Sequence, residues 1–370
     1  MKRRDFLIST SAGGAAFFAA DSSRAAPPVK ILDRKVVSHL PGLYHGWPTL
    51  ARRRNGELLL VCSGGREEHV CPFGRTDLMR SGDGGESWSF PRVVMDGPID
   101  DRDAGVLETA KGSILITNFT SLAYEAQLKR KGERWQAAHN RTTGEGRQKA
   151  LGTWMTRSTD GGVTFSGRYR VPLNSPHGPV QLSDGRLLYA GKALWTGKEK
   201  VGVCESEDDG RTWRWLAEIQ ARPGDDHHDY HELHAVEAAG GNLVVHIRNH
   251  NKVNSRETLQ CESSDGGQTW TTPHSIGVWG LPSHLLRLRD DRLVMSYGHR
   301  RKPFGNQARV SEDAGKTWSK PFVISDDGPG GDLGYPSTVE REDGVLVTVW
   351  YEKMANTPRA VLRQARWELG

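Results

Sequence analysis

Side chains able to do acid–base or anion-binding chemistry gather at two kinds of place along this 370-residue chain. One is the start of short alternating stretches, which hold His45, Asp101, Arg102, Asp103, His177, His231, Glu232, His234, His284 and Tyr335. The other is the end of the apolar runs that follow, which hold Arg66, Glu68, His69, Arg248, His250, His299 and Arg300. Arginine grips carboxylates through two parallel hydrogen bonds. Histidine serves as acid, base or hydroxyl binder near neutral pH. No histidine pair has the spacing of metal ligands on a helix, so neither a metal nor an organic cofactor is implied. The run Asp225 to Asp229 (DDHHD) reads as a solvated loop.

Repeats supply the elements that must position these groups. An S-x-D-x-G-x-T-W pattern occurs five times, starting at Ser81, Ser158, Ser206, Ser263 and Ser311. Asp and Ser side chains accept hydrogen bonds from nearby backbone N–H groups, and Gly supplies positive φ. The closing Trp (Phe165 in the second copy) folds back as an apolar plug. The boxes are therefore turns, not metal or catalytic sites. Six β-rich runs are phased against them, beginning at Gly56, Gly112, Gly185, Gly241, Asp291 and Gly344. Six hairpins separated by five boxes predict an all-β fold, a six-bladed β-propeller. The segment Lys30 to His39 is expected to complete the last blade and close the ring. The longest interval between boxes, Ser81 to Ser158, locates an insertion at 121–152 of helix-forming composition, expected to sit on the propeller face.

Composition agrees with many tight turns pinned by aromatic rings, with 43 Gly and 12 Trp. Lys2-Arg3-Arg4-Asp5-Phe6-Leu7 and the apolar run that follows predict a twin-arginine signal over residues 1–25, hence a periplasmic or secreted protein. The apolar run is too short to span a membrane. The formal charge is +5, of which residues 1–25 contribute Lys2, Arg3, Arg4 and Arg24 against Asp5 and Asp21. The absence of a Lys/Arg block gives no support to nucleic-acid binding. A mild basic excess suits an acidic small ligand. The four cysteines read as buried thiols, with a Cys62–Cys71 bridge left open.

Three segments between the boxes are more specific. Glu232 opens ELHAVE and is followed, after a turn and a strand, by Arg248. Gly334-Tyr335-Pro-Ser precedes a hairpin ending in Tyr351-Glu352. His299-Arg300-Arg301 stands shortly before the fifth box. With the boxes, these segments resemble the sialidase (neuraminidase) family with its BNR/Asp-box repeats, over nearly all of the chain beyond the leader. The resemblance implies that Tyr335 is a nucleophile, Glu232 its base, and Arg248 with Arg300 or Arg301 a carboxylate clamp. Two departures are plain. Gly46 stands where the family's first clamp arginine would be, and residues 66–73 lack the family's acid/base Asp.

The expected function is an exo-glycosidase acting on a terminal acidic sugar, with an acidic glycan as its partner. An anionic nucleophile would be repelled by the sugar's own carboxylate, which a phenol avoids. Asp103 is the expected proton donor, with His45, Glu68 and His69 as alternatives. His45, Arg66, His69, His177, His234 and His284 are expected to bind substrate. Two other readings share the fold: a uronate-directed lyase or hydrolase, favoured by the many histidines, and a glycan-binding propeller without activity. The oligomeric state is not addressed by the sequence.

Overall fold

The computed structural model describes residues 25 and 27–370, apart from 198 and 255. The twin-arginine segment expected over 1–25 lies outside the described residues, save for Ala25. Among the described residues, 24 strands (β1–β24) form six four-stranded antiparallel sheets, the blades of a closed propeller. The innermost strands are β2 (Tyr44–Arg52), β6 (Asp100–Glu108), β10 (Val180–Gln181), β14 (Tyr230–Glu237), β18 (Ser283–Arg287) and β22 (Leu333–Glu340). The six β-rich runs of the sequence become the second strands: β3 (Leu58–Arg66), β7 (Ile114–Ser121), β11 (Leu187–Lys192), β15 (Leu243–Asn249), β19 (Leu293–His299) and β23 (Leu346–Lys353). The ring closes where β1 (Val29–Val36) pairs with β24 (Ala360–Leu369) in the sixth blade, Val29 opposite Leu369. This pairing removes an edge that would otherwise stay open.

The hydrophobic core lies between blades. Leu60 and Met79 of the first blade pack with Val347, Val349 and Leu362 of the sixth. Each box turns the chain from the third strand of a blade into the fourth. In the fourth box the Ser263 hydroxyl donates to Asp265 at 2.8 Å and accepts from the Gly267 N–H at 2.9 Å, while the Thr269 N–H donates to Asp265 at 2.9 Å. The box tryptophans also lock neighbouring blades: Trp88 Nε1 donates to Gln364 at 2.8 Å and Trp318 Nε1 to Gln260 at 2.9 Å. Ser263→Ala leaves the Gly267 N–H without its acceptor. It is expected to lower stability by about 1–2 kcal/mol, read as a lower denaturant midpoint at unchanged slope.

The insertion folds as a 3-10 turn (Ala123–Gln127) and three short helices, α1 (Leu128–Lys131), α2 (Glu133–His139) and α3 (Gly144–Ala150). Tyr124 and Trp135 bury against Cys71 and Ile99, and the Trp135 indole donates to Glu67 at 2.7 Å. The insertion is thereby fixed to the end of the first blade's hairpin. All four cysteines are buried and unpaired, so no Cys62–Cys71 bridge forms. No helix among the described residues is long and apolar enough to cross a membrane.

Candidate active site

A strand that stays regular alternates its side chains between two faces. Four inner strands break that rule near their start. Register shifts in β2, β6, β14 and β22 enclose Trp47, Asp103, Glu232 and Tyr335. Each of the four takes a left-handed backbone, with φ of 53°, 44°, 45° and 55°. Non-glycine residues rarely adopt it, and such bulges commonly re-aim a side chain at a functional site. Here the four side chains come from four blades and converge on the central axis.

The centre of the site is a hydrogen-bonded triad. The Tyr335 hydroxyl donates to Glu232 Oε1 at 2.5 Å, bridging the sixth blade and the fourth. Arg248 Nη1, on β15, donates to the Tyr335 oxygen at 3.0 Å and forms an ion pair with Glu232. The Arg248 Nε is buried and has no hydrogen-bond partner among the described residues. Burial works to raise the Glu232 carboxyl, but Arg248 and the Tyr335 hydroxyl outweigh it and hold Glu232 below its ordinary value. Burial, and then the charge on Glu232, push the Tyr335 phenol well above 10. The phenol therefore holds its proton at neutral pH.

Asp103 shares the same electrostatic neighbourhood. Burial pushes its carboxyl up to about 7, the Glu232 charge adds to this, and Arg102, Arg66 and Arg248 oppose it. Two carboxylates in one site are thus driven apart, one held ionised and the other keeping its proton up to about pH 7, which is the pattern of a base and an acid. Arg300 completes the group. Its Nη2 donates to the Tyr351 hydroxyl at 3.1 Å, its Nε to the Leu333 carbonyl at 2.8 Å, and its guanidinium lies 5.8 Å from the Tyr335 ring centre. These partners are neutral, so its charge is free for a ligand. Arg301 turns away and stacks 4.1 Å over the exposed Trp279 ring.

The other expected ligand groups divide. His69 stands at the rim, its Nδ1 2.7 Å from the Tyr44 hydroxyl and 3.3 Å from Asp332. Glu68 pairs with Lys131 of the insertion. His45 is not in the site. It is buried and bonded to the Leu43 carbonyl at 3.1 Å, and burial lowers it to about 4. Arg66 is not available to a ligand either. It is fully buried and grips Asp100 through two bonds of 2.6 and 2.9 Å. His177, His234 and His284 pack on one another behind the site, with ring centres 4.5–5.2 Å apart. They plug the channel and line a separate cavity of about 350 Å³ with Arg52, Arg287 and Glu340. Burial holds all three well below the usual histidine range.

Several site residues escaped the sequence reading. The Trp47 ring lies 6.4 Å from Tyr335 and 6.1 Å from Tyr351, and the Arg102 guanidinium lies 4.2 Å above it. Tyr44 donates to Asp332 at 2.9 Å. A signal for Trp47 was present: Trp47-Pro48-Thr49 and Tyr335-Pro336-Ser337 repeat one aromatic–Pro–hydroxyl pattern at equivalent inner-strand starts. The exposed group Asp226, His227 and His228 brings three possible metal-ligating atoms together. Asp226 already caps the short turn His227–Asp229 through the His228 N–H, which accounts for it structurally.

Fold and site together define a sialidase-like β-propeller. The BNR repeat-like domain family matches residues 130–348, and the chain belongs to that family. No curated protein matches it. Among solved structures, a protein of unknown function from Dyadobacter fermentans is 22% identical with a TM-score of 0.77, covering 92% of this chain and 99% of the other. The NanB sialidase of Streptococcus pneumoniae is 14% identical with a TM-score of 0.67, covering 92% and 70%. The intramolecular trans-sialidase of Ruminococcus gnavus is also 14% identical, with a TM-score of 0.63 and coverage of 92% and 97%. At these identities the likeness is one of fold.

Proposed function

We propose that the protein is an exo-glycosidase that releases a terminal acidic sugar, sialic acid or a related one, with retention of configuration. The observation that carries this reading is the Tyr335–Glu232–Arg248 triad, in which a phenol hydrogen-bonds a carboxylate across the ring axis. The phenolic oxygen attacks the anomeric carbon and its proton passes to Glu232. Asp103 gives its proton to the leaving oxygen, and the sugar is held on Tyr335. Water then attacks, Asp103 takes the water's proton, the bond to Tyr335 breaks, and the phenol recovers its proton from Glu232. Arg248 and Arg300 hold the substrate carboxylate. Together with the twin-arginine pattern, this reading puts the substrate outside the cytoplasm.

The test is purified protein against aryl sialosides and a panel of uronate glycosides, with the anomer released followed by NMR. Retained configuration at an acidic sugar supports the proposal, and no turnover of any acidic glycoside refutes it. One observation favours a second reading, a uronate-directed lyase: Tyr44 and His69 meet at 2.7 Å beside the site, an acid–base pair suited to elimination. An unsaturated product absorbing in the ultraviolet would select it.

Asp103 makes the pH dependence specific. Its carboxyl titrates above the ordinary value, at about 7, so the proton is present below that pH and lost above it. The kcat/KM for a substrate with a poor leaving group is expected to fall above about pH 7. Asp103→Asn removes that limb and lowers turnover by about 10^2–10^4. A nitrophenyl leaving group, which needs no proton, is expected to suffer far less. Equal losses on both substrates would exclude Asp103 as the donor.

A further inference from the structure

Beside the triad, a cavity of about 790 Å³ opens between the fourth, fifth and sixth blades, within the range of small-molecule sites. Arg248, His250, Lys252, Arg256, Arg300 and Phe304 line it, and no carboxylate does among the described residues. Burial and then Arg248 lower His250, which leaves four fixed cations. Among the described residues, Arg248 alone of the four forms an ion pair, with Glu232. The Lys252 and Arg256 side chains are exposed and form no ion pair among the described residues. Arg256 also keeps a left-handed backbone, φ 69°, its N–H bonded to the Asn249 carbonyl at 2.8 Å. At the rim, Arg301 on Trp279 adds a further cation and an aromatic face, close in sequence to the cavity's Leu281.

We infer that this cavity extends the carboxylate clamp and that it takes a second anionic group, a carboxylate or sulfate ester carried by the same terminal sugar. The inference rests on the glycosidase reading and narrows its substrate class to terminal sugars that carry two anionic groups. A cleft lined by one sign of charge concentrates ligands of the other. One carboxylate occupies Arg248 and Arg300, so Lys252 and Arg256 are left for a second charge on the same sugar. Partly exposed cations of this kind contribute to affinity and association rate in a salt-dependent way.

Two measurements test this separately from the catalytic reading. The first is calorimetric binding of an oligouronate, a sulfated disaccharide and neutral lactose to the Tyr335→Phe protein. Both anionic probes are expected to bind, more weakly as salt rises, with lactose at least about 10-fold weaker. Replacing Lys252 and Arg256 together by Ala is expected to lower the anionic affinity about 10-fold. The preferred probe separates carboxylate from sulfate. The second is the ratio of kcat/KM for acidic-sugar substrates with and without a second anionic group on the terminal sugar, the leaving group held constant. The double variant is expected to bring this ratio toward one. Equal binding of lactose and the anionic probes, or a ratio untouched by the double variant, overturns the inference and leaves the glycosidase reading intact. Variant-sensitive anion binding without any glycoside turnover upholds the subsite and overturns the catalytic reading.

Discussion

Tyr335→Phe is expected to lower kcat on acidic glycosides by on the order of 10^4-fold while the protein keeps its blades and its melting behaviour. The ring stays to pack against Trp47 and Tyr351. Only the oxygen that donates to Glu232 and accepts from Arg248 is removed. Glu232→Gln is expected to bring a loss of similar order by a different route, because it removes the proton acceptor and leaves Arg248 buried without its counter-charge. Groups that act as one unit are not additive, so the double variant should be little worse than either single one. The check is a full kinetic comparison of the three variants, with circular dichroism to verify folding. Should Tyr335→Phe keep more than about a tenth of wild-type kcat, the nucleophile lies elsewhere.

Blade number was legible because repeats report it twice, through boxes and through β-rich runs. The closing strand was legible because a ring needs a partner for its last edge. The triad was legible through motif resemblance, and the choice between Arg300 and Arg301 needed coordinates: adjacent residues on one loop face different partners, Tyr351 and Trp279. The histidines were misplaced for a reason that sequence spacing conceals. On the inner strands, the centre of the site is built from residues on left-handed bulges, Trp47, Asp103, Glu232 and Tyr335. In the third blade that backbone falls on Gly178, φ 76°, so no side chain is presented and His177 turns into the plug. His234 lies beyond the bulge at Glu232, where the pairing resumes opposite His246, and its ring meets those of His177 and His284 instead. Strand starts alone therefore marked the right region and could not separate the mouth from the plug behind it.

Arg66 carries the last expected result, and it concerns stability. A hairpin-exit arginine near an acidic-ligand site looks like a ligand group, yet here it is entirely enclosed. Its guanidinium donates twice to Asp100, again to the Ser63 hydroxyl at 2.9 Å, and to the carbonyls of Glu68, His69 and Asp101 at 3.3, 2.9 and 3.2 Å. It also lies 4.9 Å from the Trp47 ring centre. It ties the first blade's hairpin to the start of the second blade and sets the floor under Trp47. Removing one partner of such a pair strands a charge without water, so Asp100→Ala is expected to lower unfolding free energy by about 3–5 kcal/mol. Arg66→Met combined with Asp100→Leu removes both charges and keeps much of the volume, and it is expected to recover a large part of that loss. Denaturant titrations of the three proteins decide the matter. If Asp100→Ala unfolds at the wild-type midpoint while its KM for acidic substrates rises, Arg66 serves the ligand after all, and the first blade contributes a third guanidinium to the clamp.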